Sequence, residues 1–455
     1  MAKTNRKEKL LTHGGGQAVT ITKEQELRRS VLATLLWEDQ FYEDGTPIAD
    51  RVRSLIREVS AEKVAALAVE AREAMKLRHM PLFIVREMAR IPSHRPLVAE
   101  TLARVIQRAD ELSEFVALYW KDKKEPLSAQ VKKGLAEAFR KFDAYQLAKY
   151  DRDGAVKLRD VLFLIHAKPQ DSAQEELWKK LVDRSLEPPD TWEVSLSAGK
   201  DKKETWERLL GEGKLGALAL LRNLRNMASV GVDESIIRKA LASISAERVL
   251  PFRFLAAGRH APQWEKDIEQ AMFRSLVGME KLNGKTVLIV DVSGSMYGST
   301  ISGKSDMDRA QVAAALAVLI RELCENPVIY ATAGNDRTRV HATKRVPDRR
   351  GFALSDAVYS LCQPLGGGGI FLKQVMDFVC KNEKKADRII VITDEQDCSG
   401  TSDDAPARAN AFGGMNYLIN VASYKRGIGY GKWIHIDGWS DAVLSYMREY
   451  EKLQQ

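Results

Sequence analysis

From about residue 21 to about residue 280 the apolar positions recur at three- and four-residue steps. Leu27, Val31, Leu32 and Leu35 make one stripe; Leu55, Ile56, Val59, Val64, Leu67 and Ala71 a second; Leu97, Thr101, Leu102, Val105 and Ile106 a third. That period puts each set on one face of an α-helix. Breakers divide the stretch at Pro81, Pro92 to Pro96, Pro126, Gly154, Pro169, Pro188-Pro189 and Gly211 to Gly213. Thr22 with Gln25, and Ser172 with Glu175, have the spacing of a capping box at a helix start. The pattern predicts roughly ten or more paired helices without strands, an α-solenoid of the HEAT kind in which each pair buries a face against its neighbour.

Near residue 283 the period changes. Apolar strands are expected at Thr286–Val290, Val328–Thr332, Thr338–His341, Ile389–Thr393, Tyr417–Val421 and Trp433–Ile436. Helices are expected at Asp308–Cys324, near Ala353–Ser360, at Ile370–Lys381 and at Asp441–Leu453. Alternating strands and helices argue for a parallel sheet covered by helices, a Rossmann-type α/β domain. Gly284 and the polar stretch Glu280 to Asn283 mark the change. The expected organisation is therefore a flexible or loosely docked basic segment over 1–20, a helical domain over 21–282 and an α/β domain over 283–455.

Composition adds class and compartment. Among 455 residues, 45% are hydrophobic and 29% charged, as in an ordinary globular protein. No apolar run is long enough to span a bilayer, and the basic N-terminus lacks the apolar core of a secretory signal. Cys324, Cys362, Cys380 and Cys398 form no CxxC pair and read as reduced thiols, so a cytoplasmic protein without a membrane partner is expected. The net charge of +8 favours polyanionic partners.

The sharpest stretch is Thr286 to Met296, TVLIVDVSGSM. A strand apolar on both faces ends in Asp291, Ser293 and Ser295, at the carboxyl edge where open α/β sheets hold ligands. Carboxylate and hydroxyl oxygens at this spacing suit Mg²⁺. The DxSxS pattern, after a strand and before a helix, resembles the von Willebrand factor A domain. In that family a second loop adds a threonine and a third an aspartate to one metal site. Asp394, at the end of the strand Ile389–Thr393, matches the third. The second departs, because Pro364 to Ile370 reads PLGGGGI with no hydroxyl. Mg²⁺ keeps water where a ligand is missing. Two readings stay open: a divalent cation held by Asp291, Ser293, Ser295 and Asp394, or a loop kept only for its turn geometry.

A helical solenoid followed by an A-like domain resembles the Ro 60 kDa autoantigen family, whose helical part is the TROVE module. Similar segments are His13 to Gly16 with Leu32 to Leu35 and Phe41-Tyr42-Glu43; Lys149-Tyr150 with Leu158 to Leu162 and His166 to Pro169; and Ala219 to Met227 with Leu250 to Arg253. The resemblance implies a solenoid closed into a ring by the A-like domain. It further implies small noncoding Y-like RNA on the outer surface and single-stranded 3′ ends of misfolded RNA in the hole. An exoribonuclease such as polynucleotide phosphorylase is an implied partner, and a monomer is expected.

Residues 121–160 carry eleven Lys/Arg and seven Asp/Glu. Lys149, Arg152, Lys157, Arg159, His166 and Lys168 bracket one helix-turn-helix and are candidate RNA contacts, giving salt-sensitive affinity if they meet phosphates. A solvated solenoid face is the bland alternative, and a helix cap is the alternative for His166. Arg222 and Arg225, three apart on one helical face, either point into a ring lumen and hold a strand, or Arg222 pairs with an acid within the solenoid. Lys344, Arg345, Arg349 and Arg350 read as a solvated loop. The leading expectation is a non-catalytic RNA-binding ribonucleoprotein component. A metal-dependent, adhesion-type protein scaffold is the alternative. A metal nuclease ranks last, because only Asp291 and Asp394 are placed for one and no general base presents itself.

Overall fold

A computed structural model describes residues 10–32, 45–75, 77–151, 154–197, 201–245, 249, 251–298, 300, 307–399, 415–422, 424, 426–429, 431–438, 443, 447, 450 and 451. Among them sixteen α-helices precede the first strand, and a six-stranded sheet with helices follows. The helical expectation and the α/β expectation both hold. The expected last helix, Asp441–Leu453, lies largely outside the described residues, as do Phe41-Tyr42-Glu43 and Arg152.

The chain forms two compact units. One comprises residues 23–36 and 46–201. Its helices, from Lys23–Leu32 to Trp192–Ser197, turn Val31, Val52, Val64, Phe83, Phe115, Leu135, Phe139 and Leu181 into one core. Burying such side chains contributes about 1.5–3 kcal/mol each, the main force holding short helices that are marginal alone. Side-chain caps start several of them. The Asp143 carboxylate accepts from the Gln146 N–H at 2.7 Å, and the Gln146 side chain accepts in return from the Asp143 N–H. The helix Ser172–Val182 is capped by Asp171, which accepts from the Gln174 N–H at 2.8 Å. The expected Ser172 cap is thus one residue late, because a charged oxygen at Asp171 serves the same N–H groups better. Inside the unit Arg72 meets Glu111 at 2.6 Å, and the backbone N–H groups of Gln107 and Arg108 fill the second carboxylate oxygen.

The other unit comprises residues 1–22, 37–45 and 202–455. Its strands are β1 (Leu282–Asp291), β2 (Cys324–Asn335), β3 (Val340–Arg345), β4 (Arg388–Thr393), β5 (Met415–Asn420) and β6 (Ile434–Asp437), in the order β3-β2-β1-β4-β5-β6. All neighbours are parallel except β2 and β3. The expected parallel sheet carries one antiparallel strand at that edge. Asn335 folds its side chain under the N–H groups of Arg337 and Thr338, and so short a turn joins only antiparallel strands.

The helices from Lys202 onward belong with this sheet. Glu269 accepts from the Phe352 N–H at 2.8 Å, and the Arg350 guanidinium lies 5.0 Å from the Phe273 ring. The change of hydrophobic period near 283 marks a change of secondary structure. The compact units divide between residues 201 and 202 instead.

Residues 10–19 are seated, which corrects the expectation of a flexible or loosely docked N-terminal segment for that stretch. Thr12 donates its hydroxyl to the Asp397 carbonyl at 2.8 Å, and the His13 N–H meets Gln396 Oε1 at 2.7 Å. The Gly16 N–H reaches the Asp397 carbonyl at 3.1 Å, and the Val19 N–H reaches the Gly427 carbonyl at 2.9 Å. This strap lies along the loop after β4, beside the edge where β1 ends.

Candidate nucleic-acid interface and metal loop

The basic residues divide between the two units. In the helical unit, Lys157 and Arg159 open the helix Leu158–Ile165. With Arg184, Asp151 and Glu187 they line a cleft of ≈ 360 Å³. The Lys157 N–H is spent on Asp160 at 2.9 Å, while Arg159 stands 3.9 Å from the same carboxylate. Lys149 lies over the rings of Tyr145 and Tyr150, at 5.7 Å and 5.8 Å. His166 closes the helix in a left-handed conformation, φ 52° and ψ 42°, with its side chain exposed. The cap reading is therefore correct for its backbone, and the imidazole still faces solvent. Lys168 uses its carbonyl to accept from Arg140 at 3.1 Å and leaves its side chain exposed. An eight-residue helix is about 12 Å long. The expected single edge is thus two groups, Lys157 with Arg159 at one end of the helix and His166 with Lys168 at the other. Phe163, on the same helix, is 58% exposed, which is high for so large an apolar side chain.

In the sheet-bearing unit, Arg222 and Arg225 lie on the helix Ala217–Ser229 and face the helix Pro251–His260. Together with Arg253, His260 and Asn226 they line a cleft of ≈ 240 Å³ over Leu218 and Leu221. Among the described residues neither Arg222 nor Arg225 is in an ion pair, so the alternative of an internal acid partner is not met. Loss of water and the Arg222 charge pull the Arg253 guanidinium below its usual range. Asn223, beside them in sequence, turns inward and donates to the Ala219 carbonyl at 2.9 Å. His260 is absent from the sequence-based expectations, and Arg253 enters them only as the end of a similar segment. Their seven-residue spacing, two helical turns, is the signal that places them on one face.

Lys344, Arg345, Arg349 and Arg350 are not one free loop. Arg350 is tied to Glu322 and stacks on Phe273, while Arg345 belongs to β3. Trp206 and Trp264 are core residues.

At the carboxyl edge, register brings Val290 opposite Ile392, so the loops after β1 and β4 leave the sheet side by side. Asp291 and Asp394 are both fully buried. Asp291 accepts from the Ser293 N–H at 2.8 Å on one oxygen and from the Thr393 hydroxyl at 2.6 Å on the other. Burial first, and then the Asp394 charge, push the Asp291 carboxyl up to about 7. Ser293 and Ser295 bring their hydroxyls within 3.2 Å of each other. The four expected ligands therefore meet. The glycine loop closes over them: the Gly294 N–H donates to the Gly368 carbonyl at 3.0 Å, and a Cβ on Gly294 would lie 2.5 Å from the Gly367 oxygen. That loop presents backbone alone. Arg309 Nη1 stands 3.9 Å from Asp394 Oδ2. Among the described residues no group of three or more His, Cys, Asp or Glu side chains is placed to hold a metal ion. Of the roughly six oxygens that Mg²⁺ prefers, these side chains offer only part, and a guanidinium stands beside Asp394.

No helix among the described residues is long and apolar enough to cross a membrane. Residues 183–361 match the TROVE domain model, a stretch that contains the whole Arg222–His260 cleft and β1 to β3. Telomerase protein component 1 of Mus musculus is 27% identical over 169 residues, 35% of this chain and 6% of that protein. Its Rattus norvegicus counterpart is 37% identical over 78 residues, 16% of this chain and 3% of that protein. The chain thus matches only a small fraction of those relatives' length. The Ro (RSR) protein of Deinococcus radiodurans superposes with a TM-score of 0.62 at 17% identity, covering 94% of this chain and 99% of that one. The resemblance to the TROVE family is therefore met by the match over residues 183–361, in a chain that has the fold of a bacterial Ro protein.

Proposed function

We propose that this protein is a non-catalytic RNA-binding component of a ribonucleoprotein. The observation that carries the reading is the cleft where Arg222, Arg225, Arg253 and His260 converge over Leu218 and Leu221. Guanidinium forks meet phosphate oxygens two at a time, and flat cationic faces stack on unpaired bases. A phosphate entering the cleft relieves the repulsion between Arg222 and Arg253. Its ligand is single-stranded RNA, such as the 3′ end of a misfolded transcript. The separate groups at Lys157 with Arg159, and at His166 with Lys168, suit the backbone of a structured small RNA of the Y-like kind. The TROVE match and the Ro-protein fold support this assignment. An exoribonuclease recruited through the bound RNA belongs to the same proposal.

The test is an equilibrium titration of the full chain with a labelled RNA hairpin carrying a single-stranded 3′ tail, beside the same hairpin made blunt. Tail-dependent binding that weakens steeply with salt, and falls at least about tenfold in Arg222→Glu/Arg225→Glu, supports the proposal. Equal binding of both hairpins, or none, sinks the cleft assignment. Shortening of the RNA in Mg²⁺ would sink the non-catalytic one.

A further inference from the structure

We infer that the sheet-bearing unit supplies its own cation: the Arg309 guanidinium, beside Asp394, stands in place of a divalent ion at the Asp291–Asp394 edge. Three features of this chain combine to that end, and none depends on the RNA reading.

The first is how firmly Arg309 is placed. It is the first residue of the helix Arg309–Leu323, whose N-cap is Asp308. One Asp308 oxygen accepts from the Gln311 N–H at 2.8 Å. The other accepts from the Gly298 N–H at 3.0 Å and the Tyr359 hydroxyl at 2.9 Å. The helix start is thereby pinned to the loop after β1. Arg309 is 4% exposed and its Nη1 stands 3.9 Å from Asp394 Oδ2. An arginine keeps its charge even when buried, so this is a permanent positive centre beside a buried carboxylate.

The second is that the carboxylates already have protein donors. Both Asp291 oxygens are engaged, by Ser293 and Thr393, and Asp394 Oδ1 accepts from the Gln396 N–H at 3.2 Å. The third is the facing loop. Gly366 to Gly369 carries no hydroxyl, and its backbone is drawn onto Gly294 through the Gly368 carbonyl. A divalent ion entering here meets a fixed guanidinium and a loop without a side-chain ligand. Two cations in one buried site repel strongly, because little water screens them. A partner protein that docks on this edge would therefore do so without metal.

The test uses the full chain and two probes, MnCl₂ and MgCl₂. Wild-type protein is expected to give no saturable heat with Mn²⁺ and the same melting midpoint in MgCl₂ as in EDTA. Arg309→Met should melt lower than wild type in EDTA, with MnCl₂ restoring part of the loss, while Arg309→Lys should match wild type in both. Saturable Mn²⁺ binding to wild type that disappears in Ser295→Ala would overturn the inference. So would an Arg309→Met protein as stable in EDTA as wild type. If Arg309→Met does not fold, the wild-type titration and Arg309→Lys decide: metal binding, or a metal-dependent midpoint, in either protein overturns the inference.

Discussion

Gly16 and Asp397 meet backbone to backbone: the Gly16 N–H donates to the Asp397 carbonyl at 3.1 Å, and a Cβ on Gly16 would lie 2.2 Å from that oxygen. No side chain fits there without moving the strap or the loop after β4. Gly16→Ala is expected to lower the stability of the full chain by about 1–3 kcal/mol, as overpacking does. Gly15, at φ 85° with open space around it, has no steric neighbour. Its replacement by alanine should cost only about 1–2 kcal/mol of left-handed strain. Urea unfolding followed by tryptophan fluorescence measures both. A Gly16→Ala protein as stable as wild type would show that residues 10–19 do not hold the loop.

The helical unit has its own vulnerable point at Arg72, 8% exposed, and Glu111, fully buried. Replacing Arg72 by methionine keeps the stem and takes away the nearer of the two cations beside the buried Glu111, leaving only Arg78 at 3.6 Å. A loss of up to about 3 kcal/mol is expected, the low end for breaking a buried pair from one side, because Arg78 remains. Replacing both by apolar residues should recover much of it. Chemical denaturation of the single and double variants compares the two, and equal losses would contradict the reasoning.

Salt dependence distinguishes phosphate contact from general surface charge. Each phosphate neutralised on single-stranded nucleic acid contributes about 0.7 to the slope of log affinity against log salt. Arg222→Ala/Arg225→Ala should therefore reduce the slope for tailed RNA by about 1.4. Lys344→Ala/Arg349→Ala, at residues that line a different cleft, should leave it unchanged. Slopes that fall equally in both variants would point to diffuse attraction.

The cysteines give a prediction about pH. Burial first, then nearby carboxylates, push the Cys362 and Cys398 thiols up to about 12. Burial also raises Cys324 and Cys380. Only thiolate reacts, and a thiol that ionises higher holds less thiolate at a given pH. At pH 8, Cys362 and Cys398 should therefore label roughly a thousandfold more slowly than an unperturbed thiol. Their rates should keep rising with pH beyond 9 instead of levelling off. Stopped-flow thiol labelling of native and urea-unfolded protein reads this directly. Rapid native labelling at pH 8 would show that the thiols are not shielded.

Much of the fold was legible because period reports secondary structure locally. The stripes at Leu27 and Leu97 need only their own helices to be recognised, whereas the run from Leu55 to Ala71 is split between the helices Gly45–Ile56 and Ala61–Glu73. The strands β1 and β4 are apolar on both faces. The Asp291 and Asp394 loops were legible for the same reason, since each follows such a strand. The cleft was only half visible. Arg222 and Arg225 share a helix and could be paired by eye, whereas Arg253 and His260 come from another helix that folding brings opposite. Arg309 escaped notice because the residues between Ser295 and Asp308 separate it from the motif it serves.

The sequence by itself determined which segments are helix and which are strand, where carboxylates and hydroxyls end a buried strand, and that the second-loop hydroxyl is missing. Only the tertiary structure decided where the compact units divide, that residues 10–19 bind the loop after β4, and that a guanidinium stands beside Asp394. The reason is physical. Backbone propensity and hydrophobic period act over a few residues and are written along the chain. Close approach, burial and charge pairing act between residues hundreds of positions apart, and which residues become neighbours is settled only when the core closes.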